Sequence, residues 1–292
     1  MEKKTIAVLG ATGLQGGGVV DALIKEGTFK VRAISRIPNK YSGKAHEVVK
    51  ADLSDLESLK EAFTNVHGVF VVTNFMEGAD EFSQGKLAVQ AAKVAGVSHF
   101  VWSTLPNIEA ISSGKFNAPN FTNKASVDEF VKSAGFKNFT FVQPPFYFQN
   151  FTGLMAPQPQ EDGSLGWALP IDPSKKVIHM ADINDLGKVV AGAFLNPDRV
   201  GNGSYLSVAT GVFSFNDILK EFKENGKDYT FTEVPKEVFN TLFEGAEVIT
   251  ESFGYFETYS YMGPNSEARI QLASEVATEK LSSLAEWIRS QH

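Results

Sequence analysis

The first 150 residues alternate between short apolar runs and amphipathic stretches, and this rhythm constrains the fold more than any other feature. Near-continuous apolar strands separated by amphipathic helices are typical of a parallel sheet that is covered on both faces. We therefore predict an α/β fold with a doubly wound parallel sheet of the Rossmann type. Its strands are predicted at residues 5–9, 30–34, 47–51, 68–73, 99–103 and 139–143, and its helices at 19–25, 56–63, 82–95 and 125–133.

After Pro144 and Pro145 the alternation breaks. Residues 146–166 are rich in Phe, Gln, Asn and Pro, and we predict a loop or an irregular helix there. We predict a Rossmann domain over residues 1–155 and a smaller C-terminal α/β lobe over residues 156–292 that shares strands with it. In this second part, strands are predicted at 177–180, 203–208 and 230–234, and helices at 183–194, 213–225 and 274–289, with two further helical stretches before the last one.

A glycine-rich loop follows the first predicted strand and opens the first predicted helix. It has the spacing G-x-x-G-x-x-G, a variant of the dinucleotide-binding fingerprint. In such a loop the glycines permit a tight turn, a close approach of the backbone to a pyrophosphate, and close packing of helix against strand. The pyrophosphate then lies on the free N–H groups at the helix N-terminus. We predict dinucleotide binding by Gly10, Thr12, Gly13, Leu14, Gln15 and Gly16.

The end of the second predicted strand selects the cofactor. An NAD-binding protein needs an acid here to accept a hydrogen bond from the ribose 2′-hydroxyl, but residues 31–46 contain no acid. Arg36 and Lys40 stand there instead, and a guanidinium can bind a 2′-phosphate bidentately. We predict NADP as the cofactor, with Asp52 and Leu53 bordering the adenine. The alternatives are that Arg36 is a solvated surface cation and that Asp52 is a helix N-cap.

Composition and spacing exclude several other chemistries. The chain has no Cys, which rules out a disulfide scaffold, a thiolate metal site and a cysteine nucleophile. Its five His show no metal-ligand spacing, so we expect no metal site, and His179 is expected to make a strand-end hydrogen bond. Asp80 and Glu81 are expected in a solvated loop or at the start of a helix. The net charge of −7 argues against direct nucleic-acid binding.

The chain shows no sequence signal for a membrane or for secretion. It has no stretch of about 18 uninterrupted apolar residues, so we expect no membrane span. Residues 1–4 lead directly into a strand-like stretch, without the pattern of a signal peptide. We therefore expect a cytoplasmic protein, with shuttling to the nucleus left open.

Several blocks of sequence give the chain a family resemblance. The loop Gly-Ala-Thr-Gly-Leu-Gln-Gly-Gly resembles the start of atypical short-chain dehydrogenase/reductases. Later blocks resemble the NmrA-like family, especially its NADP-sensing HSCARG-type members, strongly to about residue 155 and more loosely after it. The resemblance implies an NADP-binding Rossmann domain, a small C-terminal lobe and a cleft between them. The blocks are Gly27-Thr28-Phe29-Lys30-Val31-Arg32, Val72-Thr73-Asn74-Phe75, Gln84-Gly85-Lys86-Leu87, Asn120-Phe121-Thr122-Asn123-Lys124 and Ile183-Asn184-Asp185-Leu186-Gly187.

The resemblance also implies roles for particular residues. Lys124 matches the lysine that reaches the nicotinamide ribose. A loop after the fourth strand is implied to line the cofactor, and the segment at residues 144–148 is implied to lie beside the nicotinamide. These two segments contribute Thr73, Asn74, Phe75, Pro145 and Tyr147 to the predicted cofactor site.

The standard proton donor of this superfamily is absent from the chain. In the active dehydrogenases a Tyr four residues before the Lys protonates the carbonyl oxygen, and the Lys lowers the pKa of that Tyr. This position is Asn120, and an amide cannot act as a general acid. Ser103 or Thr104 could supply a hydroxyl that polarises the substrate; the alternative is that both are only hydrogen-bonded polar groups at the end of a strand. Tyr147 is either a proton donor or part of the wall of an aromatic pocket. The candidate catalytic residues are Lys124, Tyr147 and Thr104.

Two functions fit these observations. The missing Tyr favours a redox-responsive regulator with little or no dehydrogenase activity, whose shape or protein partner depends on NADP(H). The 24 Phe form either an aromatic core or an aromatic-lined ligand pocket. A Phe-rich cleft that binds an apolar small molecule favours the alternative, an NADPH-dependent reductase of an apolar or aromatic substrate with a non-standard proton donor.

Overall fold

The computed structural model describes residues 2–74 and 80–291. Seven strands form the main sheet, and all of their pairings are parallel. They are β1 (Thr5–Val8), β2 (Lys30–Ser35), β3 (Glu47–Lys50), β4 (Gly68–Val71), β5 (His99–Ser103), β6 (Asn138–Gln143) and β11 (Asn202–Ser207). Their order is β11-β6-β5-β4-β1-β2-β3, so the direction of winding reverses between β1 and β4. The predicted doubly wound parallel sheet is confirmed, and folds of this kind bind ligands at the carboxyl ends of the strands where the order reverses.

Helices cover both faces of this sheet, as the sequence predicts. Two of them share a hydrophobic core on one face, and three others share a second core on the opposite face. The first pair is α1 (Leu14–Glu26) and α7 (Ile183–Leu195), and the second group is α2 (Leu56–Ala62), α3 (Glu81–Val94) and α6 (Asp128–Ser133). Two shorter helices, α4 (Ile108–Ser112) and α5 (Pro119–Ser126), follow β5.

The alternation of side chains along β1 explains the two cores. Ile6 and Val8 belong to the core under α1 and α7, whereas Ala7 belongs to the core under α2 and α3. Close packing of α1 against α7 requires glycine, because a Cβ on Gly187 would lie 2.2 Å from the carbonyl oxygen of Gly18. This contact holds α1, the helix that follows the loop after β1, directly against α7.

The second half of the chain adds two three-stranded sheets and an aromatic core. One sheet contains β7 (Phe146–Tyr147), β10 (Ile178–Ala181) and β12 (Gly211–Phe213), and the other contains β8 (Gln158–Pro159), β9 (Leu165–Leu169) and β13 (Thr230–Glu233). Because β11 pairs with β6, the second half contributes a strand to the main sheet. The division at residue 155 stays a prediction. The remaining helices are α8 (Pro197–Val200), α9 (Phe215–Glu224), α10 (Lys236–Phe239), α11 (Ala246–Tyr259), α12 (Glu267–Val276) and α13 (Leu284–Arg289).

Some local predictions are wrong. The single helix predicted at 274–289 is two helices, because α12 ends at Val276 and the side chain of Ser283 caps α13 in a capping box. The helix predicted at 125–133 starts earlier, at Pro119, and is interrupted at Val127. Residues 146–166 hold short strands as well as a 3₁₀ helix at Phe148–Thr152, so loop or irregular helix describes only part of this segment.

No helix among the described residues has the length and apolar character needed to cross a bilayer. The described residues also contain no group of three or more His, Asp and Glu side chains arranged to hold a metal ion.

Candidate functional site

The glycine-rich loop lies at the point where the strand order reverses, between β1 and α1. Gly10 adopts a positive φ of 66°, and the Gly13 N–H donates a hydrogen bond to the Gly10 carbonyl oxygen at 2.8 Å. A Cβ on Gly16 would lie 2.3 Å from that same oxygen, so the turn closes only with glycine there. Within the described residues, α1 has no side-chain cap and no acid in its first turn, which leaves its positive dipole end available to an anion.

A cavity of about 200 Å³ opens beside this loop. Thr12 and Gly13 line it from the N-terminus of α1, and Lys40 lines it from the connection after β2. Asp21, about two turns along α1 from its N-cap Gly13, also lines it. Arg36 is exposed directly after β2, near the same connection. Lys40 therefore lines the cavity, whereas Arg36 lies at the same strand end without lining it, and the assignment of a 2′-phosphate to both stays a prediction.

Asp52 does not cap α2, so that alternative is wrong. The N-cap is Asp55, whose side chain accepts hydrogen bonds from the N–H groups of Glu57 and Ser58. Asp52 instead accepts from the Ser54 N–H at 2.8 Å, in a turn after β3. The prediction that Asp52 and its neighbour Leu53 border an adenine stays open.

Lys124 is the centre of a buried charged cluster. Its side chain projects from α5, is 5% exposed, and places Nζ 2.6 Å from Oε1 of Glu81. The ammonium also donates to the carbonyl oxygen of Thr73 at 2.7 Å and to its hydroxyl at 2.9 Å, and that hydroxyl donates to Glu81 Oε1 at 2.8 Å. Burial lowers the pKa of Lys124, and the negative charge of Glu81 counteracts that effect.

Glu81 is the functional residue that sequence reasoning missed. A helix does begin at this point, with Asp80 as its cap, but Glu81 is 1% exposed and the expectation of a solvated position is wrong for it. The signal lies in the spacing of α3, since Glu81, Gly85, Ala88 and Ala92 are all buried and share one helical face. An acid on the apolar face of a helix indicates a buried partner.

A second chain of hydrogen bonds connects the glycine-rich loop to Tyr147. The Gln15 side chain donates through Nε2 to the Tyr147 hydroxyl at 2.8 Å. Its Oε1 accepts from the Ser103 hydroxyl at 2.7 Å. The structure thus joins three residues that the sequence places far apart, at the start of α1, the end of β5 and the end of β7. Burial raises the pKa of Tyr147 well above its ordinary value, and the hydrogen bond from Gln15 only partly offsets this.

The other predicted residues are dispersed. Thr104 is buried, and its hydroxyl lies 3.4 Å from the Leu105 carbonyl oxygen. Asn120 lies one turn before Lys124 on α5, and its Oδ1 is buried with no hydrogen-bond partner among the described residues. Pro145 is buried between β6 and β7, and Asn74 follows β4. Phe75 lies outside the described residues.

His179 makes the strand-end type of contact that was expected. It lies on β10, is buried, and its Nδ1 accepts from the Met262 N–H at 3.4 Å. Its Nε2 lies 3.4 Å from the Ser266 hydroxyl, and burial lowers the pKa of His179 to about 4. The neutral ring therefore joins β10 to the chain before α12.

Phe146, Phe148 and Phe151 are buried and belong to the aromatic core of the second half. Phe146 and Phe151 pack with ring centroids 6.0 Å apart, and Phe146 also packs edge to face against Tyr261. None of these rings lines the cavity beside the glycine-rich loop. These three Phe are core residues, so the aromatic core accounts for part of the high Phe content of the chain.

A doubly wound parallel sheet with a glycine-rich loop at the reversal of strand order defines a Rossmann-type α/β protein. The model of the NmrA-like family matches residues 2–288, and the chain belongs to this family. The family resemblance of the sequence is thereby confirmed, while membership of the HSCARG-type subclass stays a prediction.

Relatives in this family and beyond it include both oxidoreductases and a regulator. The chain is 32% identical over 244 residues to the NmrA-like family domain-containing oxidoreductase FrzB of Cladobotryum sp., which covers 75% of this chain and 72% of FrzB. The fold of this chain is similar to that of NmrA, a negative transcriptional regulator solved with NADP and with NAD. The TM-score is 0.81, the sequence identity is 22% to the NADP complex and 21% to the NAD complex, and the match covers 99% of this chain and 95% of NmrA. The fold is also similar to that of an NADPH-dependent quinone oxidoreductase of Escherichia coli solved with NADPH (TM-score 0.78, 19% identity, 98% and 99% of the two chains).

Proposed function

We propose that the protein binds NADP(H) over the carboxyl ends of β1 and β4, and that the bound dinucleotide serves as a redox signal rather than as a hydride donor to ketones. The binding half of the proposal rests on the glycine-rich loop, on the cations after β2, and on relatives of the same fold that are solved with NADP or NADPH. The signalling half rests on how the site holds Lys124.

The residues present fit the cofactor. The N-terminus of α1, which no side chain caps, and the open cavity beside Gly13 offer the N–H groups and the space that a pyrophosphate needs. We assign the 2′-phosphate to Arg36 and Lys40 and the ribose hydroxyls of the nicotinamide half to Lys124. When bound, NADPH supplies a hydride. The remaining assignments are Gly10, Thr12, Leu14 and Gln15 to the phosphates, Asp52 and Leu53 to the adenine, and Thr73, Asn74, Pro145 and Tyr147 to the nicotinamide half.

The arrangement of Lys124 carries the signalling proposal. In the dehydrogenases that the chain resembles, the lysine acts by lowering the pKa of a tyrosine one turn before it, and here that position is Asn120. The Lys124 ammonium is held instead by Glu81 and Thr73. Tyr147 is the nearby phenol, but it is bonded to Gln15 and burial raises its pKa, which makes it a weaker acid. Neither of these two positions therefore offers a tuned proton donor for a ketone oxygen.

A second candidate function is an NADPH-dependent reductase of electron-poor aromatic acceptors such as quinones. Two observations favour it: relatives such as FrzB are named oxidoreductases, and the Tyr147 hydroxyl accepts from Gln15, which leaves its own proton free to donate. A quinone becomes a stabilised aromatic anion on accepting a hydride and thus needs little help from an acid.

We expect the purified protein to oxidise NADPH slowly or not at all with ketones and aldehydes. General acid catalysis contributes roughly 10²–10⁴-fold, so its absence leaves a small residual rate. Asn120→Tyr is expected to raise that rate, and Asn120→Phe, which has the same bulk without the hydroxyl, is the matched control. The assay follows NADPH oxidation with ketones, aldehydes and quinones. A wild-type kcat of about 10 s⁻¹ with ketones, the usual enzyme median, overturns the signalling proposal; the same rate with quinones alone establishes the second candidate.

Arg36→Ala is expected to weaken NADPH binding at least tenfold and to leave NADH binding little changed. The variant loses one or two charge-assisted hydrogen bonds to the 2′-phosphate, each worth about 1.5–3 kcal/mol, and about 1.4 kcal/mol corresponds to a factor of ten. Fluorescence titration with both cofactors measures the two affinities. Arg289→Ala, at the exposed end of α13, is the control for a general loss of positive charge. Equal affinities of the wild-type protein for NADPH and NADH contradict the assignment.

A further inference from the structure

Glu81 places a carboxylate in a buried position at the start of α3, where it is 1% exposed. Its Oε1 lies 2.6 Å from the Lys124 ammonium and accepts from the Thr73 hydroxyl at 2.8 Å. Its Oε2 is buried with no hydrogen-bond partner among the described residues. A buried charge is costly unless it is paired. Within the part of the chain that the structure describes, Lys124 is the only cation that pairs with this carboxylate.

Contacts fix both ends of Lys124. Its backbone carbonyl oxygen accepts from the indole N–H of Trp102 on β5 at 3.2 Å. Its Nζ donates to the carbonyl oxygen and to the hydroxyl of Thr73, directly after β4. A lysine side chain is flexible, and ordering a flexible side chain on binding costs free energy. Because Glu81 and Thr73 already hold the ammonium in one place, a ligand does not have to order it.

Burial opposes the positive charge of Lys124. The residue is 5% exposed, and a poorly solvated position favours the neutral amine over the ammonium. Burial therefore lowers the pKa of Lys124, whereas the negative charge of Glu81 and the hydrogen bond to it raise this pKa. The two Thr73 oxygens are neutral acceptors, so Glu81 is the contact that supplies a counter-charge.

The other charged side chains on the elements around α5 do not replace Glu81. Among the described residues, Glu81 is the only acid within ion-pair distance of the Lys124 ammonium. The neighbouring strand ends contribute the uncharged side chains of Thr73 and Trp102. Of the remaining charged groups all but Asp128 are exposed, and Asp128 accepts a hydrogen bond from a tyrosine hydroxyl. They are Asp80 and Lys86 at α3, Glu109 on α4, and Asp128, Glu129 and Lys132 on α6.

We infer that Glu81 is a positioning residue for NADP(H): it holds the Lys124 ammonium in place and keeps it charged, so that the contact of this ammonium with the nicotinamide ribose does not weaken as the pH rises. The inference rests on the proposed binding of that ribose by Lys124. Charge-assisted hydrogen bonds are roughly twice as strong as neutral ones, so loss of the Lys124 proton weakens binding. Without Glu81, burial acts unopposed and the proton is lost at a lower pH.

Glu81→Gln tests this inference, because glutamine keeps the size and an acceptor oxygen but removes the charge. Fluorescence titration measures the dissociation constant for NADPH from about pH 7 to about pH 9.5, above the second phosphate pKa of about 6 and below the ordinary lysine pKa of about 10.4. The ratio of the dissociation constants, variant over wild type, is expected to rise about tenfold with pH within this range. Asp128, whose pKa burial raises to about 7, is present in both proteins, so its titration cancels in the ratio. A ratio that stays constant overturns the inference.

Two controls separate the charge of Glu81 from its packing. Thr73→Val removes a neutral acceptor from the same ammonium, and its ratio to the wild type is expected to be the same at every pH. Glu129→Gln makes the matched substitution at an exposed acid and is expected to bind NADPH as the wild type does. Circular dichroism at each pH confirms that the variants are folded. A ratio that rises with pH in either control as it does in Glu81→Gln overturns the inference.

The double variant Lys124→Met with Glu81→Met distinguishes a failure of this inference from a failure of the proposed function, and it decides where Glu81→Gln does not fold. It lacks the ammonium and leaves no unpaired charge. It is expected to bind NADPH at least tenfold more weakly than the wild type, through the loss of a charge-assisted hydrogen bond, by a factor that is constant with pH. A factor that shrinks towards one as the pH rises overturns this inference alone. Equal affinities at every pH overturn the assignment of the ribose to Lys124 as well.

Discussion

Gly13→Val is expected to abolish measurable NADPH binding and to leave the protein folded. Gly13 is the N-cap of α1, with φ −93° and ψ 173°, an extended conformation that valine adopts without strain. A Cβ there would lie 3.3 Å from the Gly10 carbonyl oxygen, which a small shift relieves. The valine methyl groups, however, would fill the space in which the backbone must approach the pyrophosphate.

Fluorescence titration with NADPH and a thermal unfolding curve check this prediction together. Gly18→Ala is the matched control, because Gly18 does not line the cavity beside the loop and its Cβ would meet Asn184 on α7 at an ordinary contact distance of 3.4 Å. The control is expected to keep both its fold and its NADPH affinity. Full stabilisation of Gly13→Val by NADPH would show that the phosphates bind elsewhere.

Lys124→Met is expected to destabilise the protein by about 3–5 kcal/mol, the usual cost of removing one partner of a buried ion pair. The variant leaves the carboxylate of Glu81, which is 1% exposed, without its counter-charge. Glu81→Met leaves the buried ammonium of Lys124 without its counter-charge, and it is expected to lower the free energy of unfolding by a similar amount. The double variant replaces the pair by apolar side chains and is expected to cost much less than the sum of the two, because no unpaired charge remains.

Urea unfolding of the wild-type protein, the two single variants and the double variant measures this coupling. Lys132→Met breaks the Lys132–Glu129 pair, whose partners are 40% and 77% exposed, and is expected to cost about 1 kcal/mol or less. Additive effects of the two substitutions at Lys124 and Glu81 contradict the assignment of a coupled buried pair.

The central strands β1, β4 and β5 follow from the sequence because their apolar runs are buried on both faces of the sheet. β5 lies at residues 99–103 as predicted, and β1 and β4 differ from their predictions only at their carboxyl ends. The break between α12 and α13 does not follow from the local sequence, because residues 277–283 carry no Gly or Pro. It is fixed instead by the Ser283 cap and by the Ser282 N–H, which donates to Asp185 on α7 at 2.6 Å.

The part of the candidate site that one sequence motif forms can be predicted from the sequence. The part that tertiary packing brings together cannot. The glycine-rich loop is recognisable because the turn requires glycine at fixed spacing. That Gln15 bridges Ser103 and Tyr147 depends on where β5 and β7 end in space, which no local pattern reports. Asp80 and Glu81 are adjacent acids at the start of α3, and only the helical face that each occupies distinguishes the capping residue Asp80 from the buried Glu81.

A crystal structure of the protein with NADP⁺ tests the central claim most directly. The account predicts a pyrophosphate on the N-terminus of α1 at Gly13, a 2′-phosphate within hydrogen-bond distance of Arg36, and nicotinamide-ribose hydroxyls within hydrogen-bond distance of the Lys124 ammonium. A dinucleotide bound away from the glycine-rich loop, or a 2′-phosphate with no cationic side chain within 4 Å, the usual ion-pair limit, would contradict it.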